Sequence, residues 1–76
     1  MSEPVTLDAT GLKCPLPVLK ARKAMSAVPD GGVLRVIATD PGAVKDFEHF
    51  CKTTGHQLLA CRDEAGVLTI EIRKAG

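Results

Sequence analysis

The chain has three cysteines, at positions 14, 51 and 61, whose thiols could act as nucleophiles or metal ligands. Because their number is odd, they cannot all pair with one another. The intervals between them include no C-x-x-C of the kind that zinc fingers and ribbons use. We therefore expect free thiols in a cytoplasmic protein, rather than a zinc site or a secreted domain held together by disulfides.

Cys14 differs from the other two cysteines because it opens the segment Cys14-Pro15-Leu16-Pro17. The first N–H groups of a helix have no partner within it, so proline, which lacks an N–H and has a helical φ, suits this position. A helix is therefore expected to begin at Pro15, with Cys14 as its N-cap. Cysteine is a poor N-cap compared with Ser, Thr, Asp or Asn, which favours a chemical role for this residue.

The surroundings of Cys14 predict a reactive thiol. A helix N-terminus and an adjacent cation both lower the pKa of a thiol, and Lys13 precedes Cys14 directly. The Leu16 N–H is a further donor that could reach the sulfur, whereas Asp8 and Asp40 would oppose these effects if they lie close. We therefore predict a nucleophilic thiol with a modestly depressed pKa.

The other candidate residues favour structural roles. Cys51 lies on the apolar side of the second predicted helix and Cys61 lies in an apolar strand, so both thiols are predicted to be buried, as free cysteines usually are. A Cys–His pair would need a histidine within hydrogen-bond reach of Cys14. The sequence places neither His49 nor His56 there, and both are expected to be exposed to solvent.

Charged side chains are expected on the surface. Lys20, Arg22 and Lys23 lie one to two helical turns beyond Cys14, where they form either a solvated face or a docking surface for an acidic partner. The remaining charged residues that we assign to a solvated surface are Asp46, Glu48, Lys52, Arg62, Asp63 and Glu64.

The elements that must position these residues follow the order β-α-β-α-β-β. Alternating and β-branched runs predict strands over 5–7, 33–39, 56–62 and 67–73, with a short loop over 63–66. Helical spacing predicts helices over 15–28 and 41–54, the second capped by Asp40 and ended by Gly55. The apolar stripe of the first helix is predicted to consist of Val18, Ala21, Met25 and Val28, widened by Leu19.

These elements predict an α+β fold, a two-layer sandwich with a mixed four-stranded sheet and both helices on one of its faces. The strand over 33–39 is nearly continuously apolar, so we expect it to be central and buried. The last strand alternates apolar and polar residues, which indicates one solvated face. The second face of the sheet should accordingly be open to solvent or to partners.

The amino-acid composition argues against several classes of function. The 76 residues are 45% hydrophobic with a net charge of +1, which is typical of one small globular domain over 1–76. A dedicated nucleic-acid binder would show a basic excess and exposed aromatic residues, yet aromatic residues make up only 3%. We therefore expect no direct nucleic-acid binding. There is also no apolar run long enough for a membrane span and no secretory signal in the first ten residues.

The segment from Leu7 to Leu19 resembles the signature of the TusA, or SirA-like, family of sulfur-carrier proteins. That signature combines D-x-x-G-x-x-C with C-P-x-P at the start of the first helix. Similarity extends over essentially the whole chain, through Asp40-Pro41, Phe50-Cys51 and Gly55-His56, and the length matches a stand-alone family member. The residues that carry the signature here are Asp8, Gly11, Cys14, Pro15 and Pro17.

The resemblance implies a fold similar to the C-terminal domain of translation initiation factor 3, and a sulfurtransferase-type carrier without a metal or organic cofactor. It implies that Cys14 accepts sulfane sulfur as a persulfide from a cysteine desulfurase or a rhodanese-type donor. A downstream acceptor protein would then take the sulfur for tRNA thiolation, molybdenum-cofactor metabolism or sulfur oxidation. The implied site is Cys14 with Asp8, Gly11, Lys13, Pro15 and Pro17 around it, and with Lys20, Arg22 and Lys23 available for docking.

Two other functions remain open from the sequence. A nucleic-acid-binding module would rest on the fold analogy alone, and fold does not imply function. A thiol-redox regulator would need a resolving cysteine, either Cys51 or Cys61, close to Cys14.

Overall fold

The computed structural model describes residues 4–75, and its elements follow the predicted order. The first ten residues were predicted to contain no secretory signal, and residues 1–3 of this segment lie outside the described residues. None of the helices described over 4–75 is long and apolar enough to cross a membrane. The elements are β1 (Val5–Ala9), α1 (Leu16–Met25), β2 (Val33–Ala38), α2 (Ala43–Thr54), β3 (Gln57–Glu64) and β4 (Val67–Arg73).

The four strands form one mixed sheet in the order β1-β2-β4-β3. β1 pairs parallel with β2, and β4 pairs antiparallel with both β2 and β3. α1 packs on β1 and β2, α2 packs on β3 and β4, and the two helices contact each other. Both helices therefore lie on one face of the sheet, which confirms the predicted two-layer arrangement.

The core lies between the sheet and the helices. Leu34, Val36 and Ala38 of β2 point towards the helices, and their partners in the β4 register are Ile72, Ile70 and Leu68. This alternation confirms the solvated face predicted for the last strand. The helices complete the core with Ala21, Met25, Ala43, Phe47, Phe50 and Cys51.

β2 is central, as predicted, but it is buried on one face only, not along its whole apolar run. Its alternate residues Val33, Arg35 and Ile37 are only half-buried, because no second layer covers that side of the sheet. Arg35 uses this open face to form an ion pair of 3.3 Å with Glu71, its register partner on β4.

α1 is shorter than predicted. It begins at Leu16 rather than Pro15 and ends at Met25, although the following turn still brings Val28 into the core. Leu19 does not widen the apolar stripe, since 53% of its surface is exposed. The reason is geometric: Leu19 lies two positions before the buried Ala21, and residues two apart point to different sides of a helix.

α2 and the last hairpin also differ from the prediction at their ends. α2 begins at Ala43, so Asp40 is not its cap, and it ends as predicted at Gly55, which has a φ of +84°. β3 starts and ends later than expected. The loop is therefore a two-residue turn in which Ala65 and Gly66 both have positive φ, the combination that suits a tight hairpin.

Candidate functional site

Cys14 lies in the turn between β1 and α1, with its side chain exposed. Pro15 is the N-cap of α1, so Cys14 precedes the cap by one residue and the predicted cap position is wrong. The Leu16 N–H, expected near the sulfur, instead donates to the Lys13 carbonyl over 2.8 Å. This bond closes the turn before the helix, which moves the cap to Pro15.

The turn is held by residues that follow β2. The Gly11 N–H donates to Thr39 Oγ1 over 2.9 Å, and the Cys14 N–H donates to Asp40 Oδ2 over 3.0 Å. The Asp40 side chain therefore binds the backbone of Cys14 and does not cap α2. A Cβ on Gly42 would lie 3.3 Å from Asp40 Oδ2, so the small residue at 42 leaves room for this bond.

The strand register explains why these groups meet. β1 and β2 are parallel and end at the paired residues Ala9 and Ala38. Their carboxyl ends therefore lie side by side, as they do at the ligand sites of many α/β proteins. The loops that leave this edge of the sheet carry Cys14 and Asp40.

Asp46, in the first turn of α2, accepts a hydrogen bond from the Cys14 thiol through Oδ2. Asp46 was expected on a solvated surface, but its side chain is half-buried against the site. The two residues are 32 positions apart. An acidic residue in a first helical turn is common for its interaction with the helix dipole, so no local signal identified Asp46 as a site residue.

The two carboxylates reverse the expected effect on the thiol. The hydrogen bond to Asp46 raises the pKa of Cys14, and desolvation and the negative charges of Asp46 and Asp40 raise this pKa further. A nearby anion disfavours a thiolate, which is itself negative. The predicted depression of the pKa, which rested on the helix dipole and on Lys13, is therefore wrong in direction.

Asp8 lies near the end of β1, before the loop that carries Cys14, and stabilises the turn that follows this strand. Its Oδ1 accepts hydrogen bonds from the Thr10 N–H over 3.0 Å and from Thr10 Oγ1 over 2.7 Å. These bonds lower the pKa of Asp8. Of the prolines, Pro15 is exposed beside Cys14, whereas Pro17 is buried in the first turn of α1.

A groove of about 460 Å³ runs between α1 and α2 beside the thiol. His49 is exposed, as predicted, but it shares this groove with Asp46. Arg22 crosses the groove with its guanidinium carbon 5.8 Å from the centre of the Phe50 ring. The groove is lined by Pro15, Val18, Arg22, Asp46, His49, Phe50 and Thr53.

His56 is not fully exposed, contrary to expectation. Its Nδ1 accepts a hydrogen bond of 2.9 Å from the Ala75 N–H, and its ring centre lies 5.6 Å from that of Phe50. It therefore ties the end of the chain to α2.

The surface of α1 that adjoins Cys14 is partly apolar. Leu16 and Leu19 are 47% and 53% exposed, and Lys20 and Lys23 are exposed beside them. Both lysines line a second groove of about 320 Å³ with Leu7 of β1, whereas Arg22 faces α2. The three basic residues predicted for docking therefore lie on both sides of the outward face of α1.

The remaining thiols lie apart from this surface. Cys51 is buried in α2, as predicted. Cys61 is exposed, contrary to prediction, because β3 is an edge strand and residues 61–64 are exposed on both faces. Among residues 4–75, no three His, Cys, Asp or Glu side chains are grouped so that they could hold a metal ion.

Known proteins resemble this chain in sequence and in fold. Residues 5–74 match the family described as "Sulfurtransferase TusA". A putative sulfur carrier protein of Neisseria meningitidis is 54% identical, covering 90% of this chain and 92% of its own length. The sulfur carrier protein TusA of Allochromatium vinosum is 52% identical, with 91% of each chain covered. The crystal structure of a SirA-like protein from Desulfitobacterium hafniense superimposes with a TM-score of 0.81 at 26% identity, covering 95% of this chain and 99% of its own.

Proposed function

Because this chain belongs to the TusA family of sulfur carriers, we propose that Cys14 accepts sulfane sulfur as a persulfide and passes it to an acceptor protein. The observation that carries this proposal is the exposed thiol of Cys14, in the turn that leads into α1 and within the C-P-x-P segment. Thiol exchange requires access to the sulfur as well as a thiolate, and an exposed turn provides that access.

The proposed transfer balances without an external oxidant. The Cys14 thiol loses its proton, and the thiolate attacks the terminal sulfur of a donor persulfide. The bond between the two donor sulfurs breaks, the donor cysteine leaves as a thiolate, and Cys14 becomes the persulfide. A thiolate of the acceptor then attacks the terminal sulfur on Cys14, which returns Cys14 to its original state.

The proposed partners are a donor and an acceptor protein. The donor is a cysteine desulfurase or a rhodanese-type protein, and the acceptor belongs to tRNA thiolation, molybdenum-cofactor metabolism or sulfur oxidation. Exposed Leu16 and Leu19 beside the sulfur support docking on the outward face of α1. Lys20, Arg22 and Lys23 would form a basic rim that guides an acidic partner, as charged rims do in transient complexes.

The immediate neighbours of the sulfur support a carrier over a redox regulator. A regulator would form a disulfide from Cys14, whereas the groups next to its thiol are the carboxylates of Asp46 and Asp40. Cys61 is exposed on the edge strand at the opposite side of the sheet from β1.

The test is to incubate the chain with a cysteine desulfurase and cysteine and to measure its intact mass. We expect the wild-type chain to gain the mass of one or more sulfur atoms and Cys14→Ser to gain none, because only Cys14 combines exposure with the docking surface. Cys61→Ser is the matched control, since Cys61 is also exposed, and it should load like the wild type. Loading of Cys14→Ser at the wild-type level would refute the proposal.

A further inference from the structure

The sulfur of Cys14 is flanked by two carboxylates, although its proposed reaction requires a thiolate. Asp46 accepts the thiol proton in a hydrogen bond, and Asp40 accepts the backbone N–H of the same residue over 3.0 Å. The two acids come from different parts of the fold, α2 and the loop after β2. Such an arrangement opposes ionisation of the thiol, so the free carrier is held in a less reactive form.

Other charged groups lie around Asp40 and Asp46, but none of those described contacts the sulfur in their place. Lys13 precedes Cys14 in the same turn, and Arg22 of α1 and His49 of α2 line the groove that Asp46 adjoins. Arg22 packs over the Phe50 ring. The charge in contact with the sulfur is therefore the carboxylate of Asp46, which is half-buried and so less screened than a fully exposed group.

We propose that Asp46, supported by Asp40, makes the sulfur of Cys14 selective for the charge of its reaction partner. Small anionic sulfur compounds are repelled, and a productive partner places a cationic side chain against Asp46 when it docks. This inference rests on the proposed role of Cys14 as the carrier of sulfur. Asp46 acts through Cys14 and is therefore a positioning residue.

The charge of Asp46 acts both on the ionisation of the Cys14 thiol and on the approach of a reaction partner. A partner's Lys or Arg that pairs with Asp46 would offset the negative charge of this carboxylate next to the sulfur. The Cys14 thiolate would then form more readily. An anionic compound brings a further negative charge to a site that already holds two, so its approach costs Coulomb energy. Transfer would therefore be favoured inside a complex and disfavoured with small anions in solution.

The test uses three disulfide probes of different charge on the Cys61→Ser chain, in which the one remaining exposed thiol of the described residues is Cys14. The probes are the anionic 5,5′-dithiobis(2-nitrobenzoate), the uncharged 4,4′-dithiodipyridine and the cationic cystamine. In each reaction the Cys14 thiolate attacks one probe sulfur, the probe S–S bond breaks, a mixed disulfide forms and one thiolate leaves. Ratios of variant to wild-type rate cancel the intrinsic reactivity of each probe.

Asp46→Asn should change the three rates differently. We expect its rate with the anionic probe to rise about threefold more than its rate with the neutral probe, the size of effect that one unit charge exerts in water at several Å. Its rate with cystamine should rise less than its rate with the neutral probe, because the attraction for a cation is lost. Equal changes for all three probes would overturn the proposal, since they would show an effect on ionisation alone.

The pH profile provides a second readout. Because Asp46 raises the pKa of Cys14, the exchange rate of the wild-type chain should still be rising above the ordinary pKa of a thiol. Asp46→Asn should move this inflection to lower pH, so that more thiolate is present at neutral pH. An unchanged inflection would also contradict the role assigned to Asp46.

Controls separate this inference from general electrostatics and from the carrier function itself. Asp30→Asn removes the same charge from the turn before β2, at the opposite end of that strand from Asp40, and should leave the probe ratios unchanged. If Asp46→Asn does not fold, added salt should raise the wild-type rate with the anionic probe relative to the neutral one, and no such rise would refute the proposal. Persulfide loading of Cys14 is measured separately, so its failure would be distinguishable.

Discussion

At the residue scale, the site combines an exposed thiol with an environment that raises the pKa of that thiol. The turn around Cys14 is held by hydrogen bonds to Thr39 and Asp40, so the sulfur has a defined position despite its exposure. The hydrogen bond to Asp46 raises the pKa of the thiol. Under the role proposed for Asp46, a protein partner would relieve this restraint when it docks.

The turn before Cys14 requires a left-handed backbone conformation at Gly11. Its φ is +77°, and an added Cβ would meet no atom within 4 Å, so a side chain would cost backbone strain and not a clash. We expect Gly11→Ala to lower the free energy of unfolding by about 1–2 kcal/mol, the usual cost of a left-handed conformation for a residue with a Cβ. Urea denaturation followed by circular dichroism measures this change.

Gly11→Asn is the matched control, because asparagine tolerates the left-handed region better than alanine. It should be destabilised less than Gly11→Ala. If the alanine variant were as stable as the wild type, the turn would not depend on the positive φ.

At the element scale, the two faces of α1 differ in burial. Its inner face packs Ala21 and Met25 into the core, and its outward face presents the exposed Leu16 and Leu19 beside Cys14. Monomeric proteins expose single apolar residues routinely, but two leucines one turn apart and next to the exposed thiol of Cys14 form a patch suited to a partner.

The basic rim of α1 is testable by charge reversal. The binding partner for this test is a cysteine desulfurase that loads the wild-type chain. We expect Lys20→Glu combined with Lys23→Glu to lower the rate of association with this desulfurase about tenfold at low salt, because rim charges mainly affect the association rate. Surface plasmon resonance measures the rate, and high salt should remove the difference. Lys45→Glu combined with Lys52→Glu on α2 is the control with the same charge change at exposed positions, and an equal slowing there would argue against a specific surface on α1.

At the scale of the whole molecule, stability rests on one thin layer of apolar side chains. The molecule measures 30 × 25 × 19 Å, and its core lies between the helices and a single face of the sheet. Phe47 is the largest fully buried side chain and packs edge-on against Phe50, with ring centres 6.2 Å apart. A domain of this size has little apolar area in reserve, so each core residue matters.

Phe47 and Leu19 should therefore respond very differently to truncation. We expect Phe47→Ala to reduce the free energy of unfolding by about 3–5 kcal/mol, because it removes buried area and leaves a cavity. Leu19→Ala should change it by no more than about 0.5 kcal/mol, since that side chain is largely exposed. Urea denaturation of both variants makes the comparison, and a large loss for Leu19→Ala would show that Leu19 belongs to the core.

Local sequence patterns were sufficient for the element order and the two-layer fold, and they identified Cys14 as the candidate site residue. Proline and glycine mark the ends of elements through their own backbone chemistry, and the alternation Leu68, Ile70, Ile72 identifies the buried face of β4. These local patterns do not depend on contacts with residues that are distant in the chain. They erred where a second layer decides burial, as for the uncovered face of β2 and the exposed end of β3 at Cys61.

The chemical state of the thiol was decided only by the tertiary structure. Cys14 and Asp46 are 32 residues apart, and they meet because β1 and β2 end side by side and α1 packs against α2. The sequence by itself determined which cysteine is the candidate sulfur carrier, because the segment Cys14-Pro15-Leu16-Pro17 distinguishes it from the other two. The direction of its pKa shift depends on charges brought from another element, because electrostatic interactions act over distances in space and not along the chain.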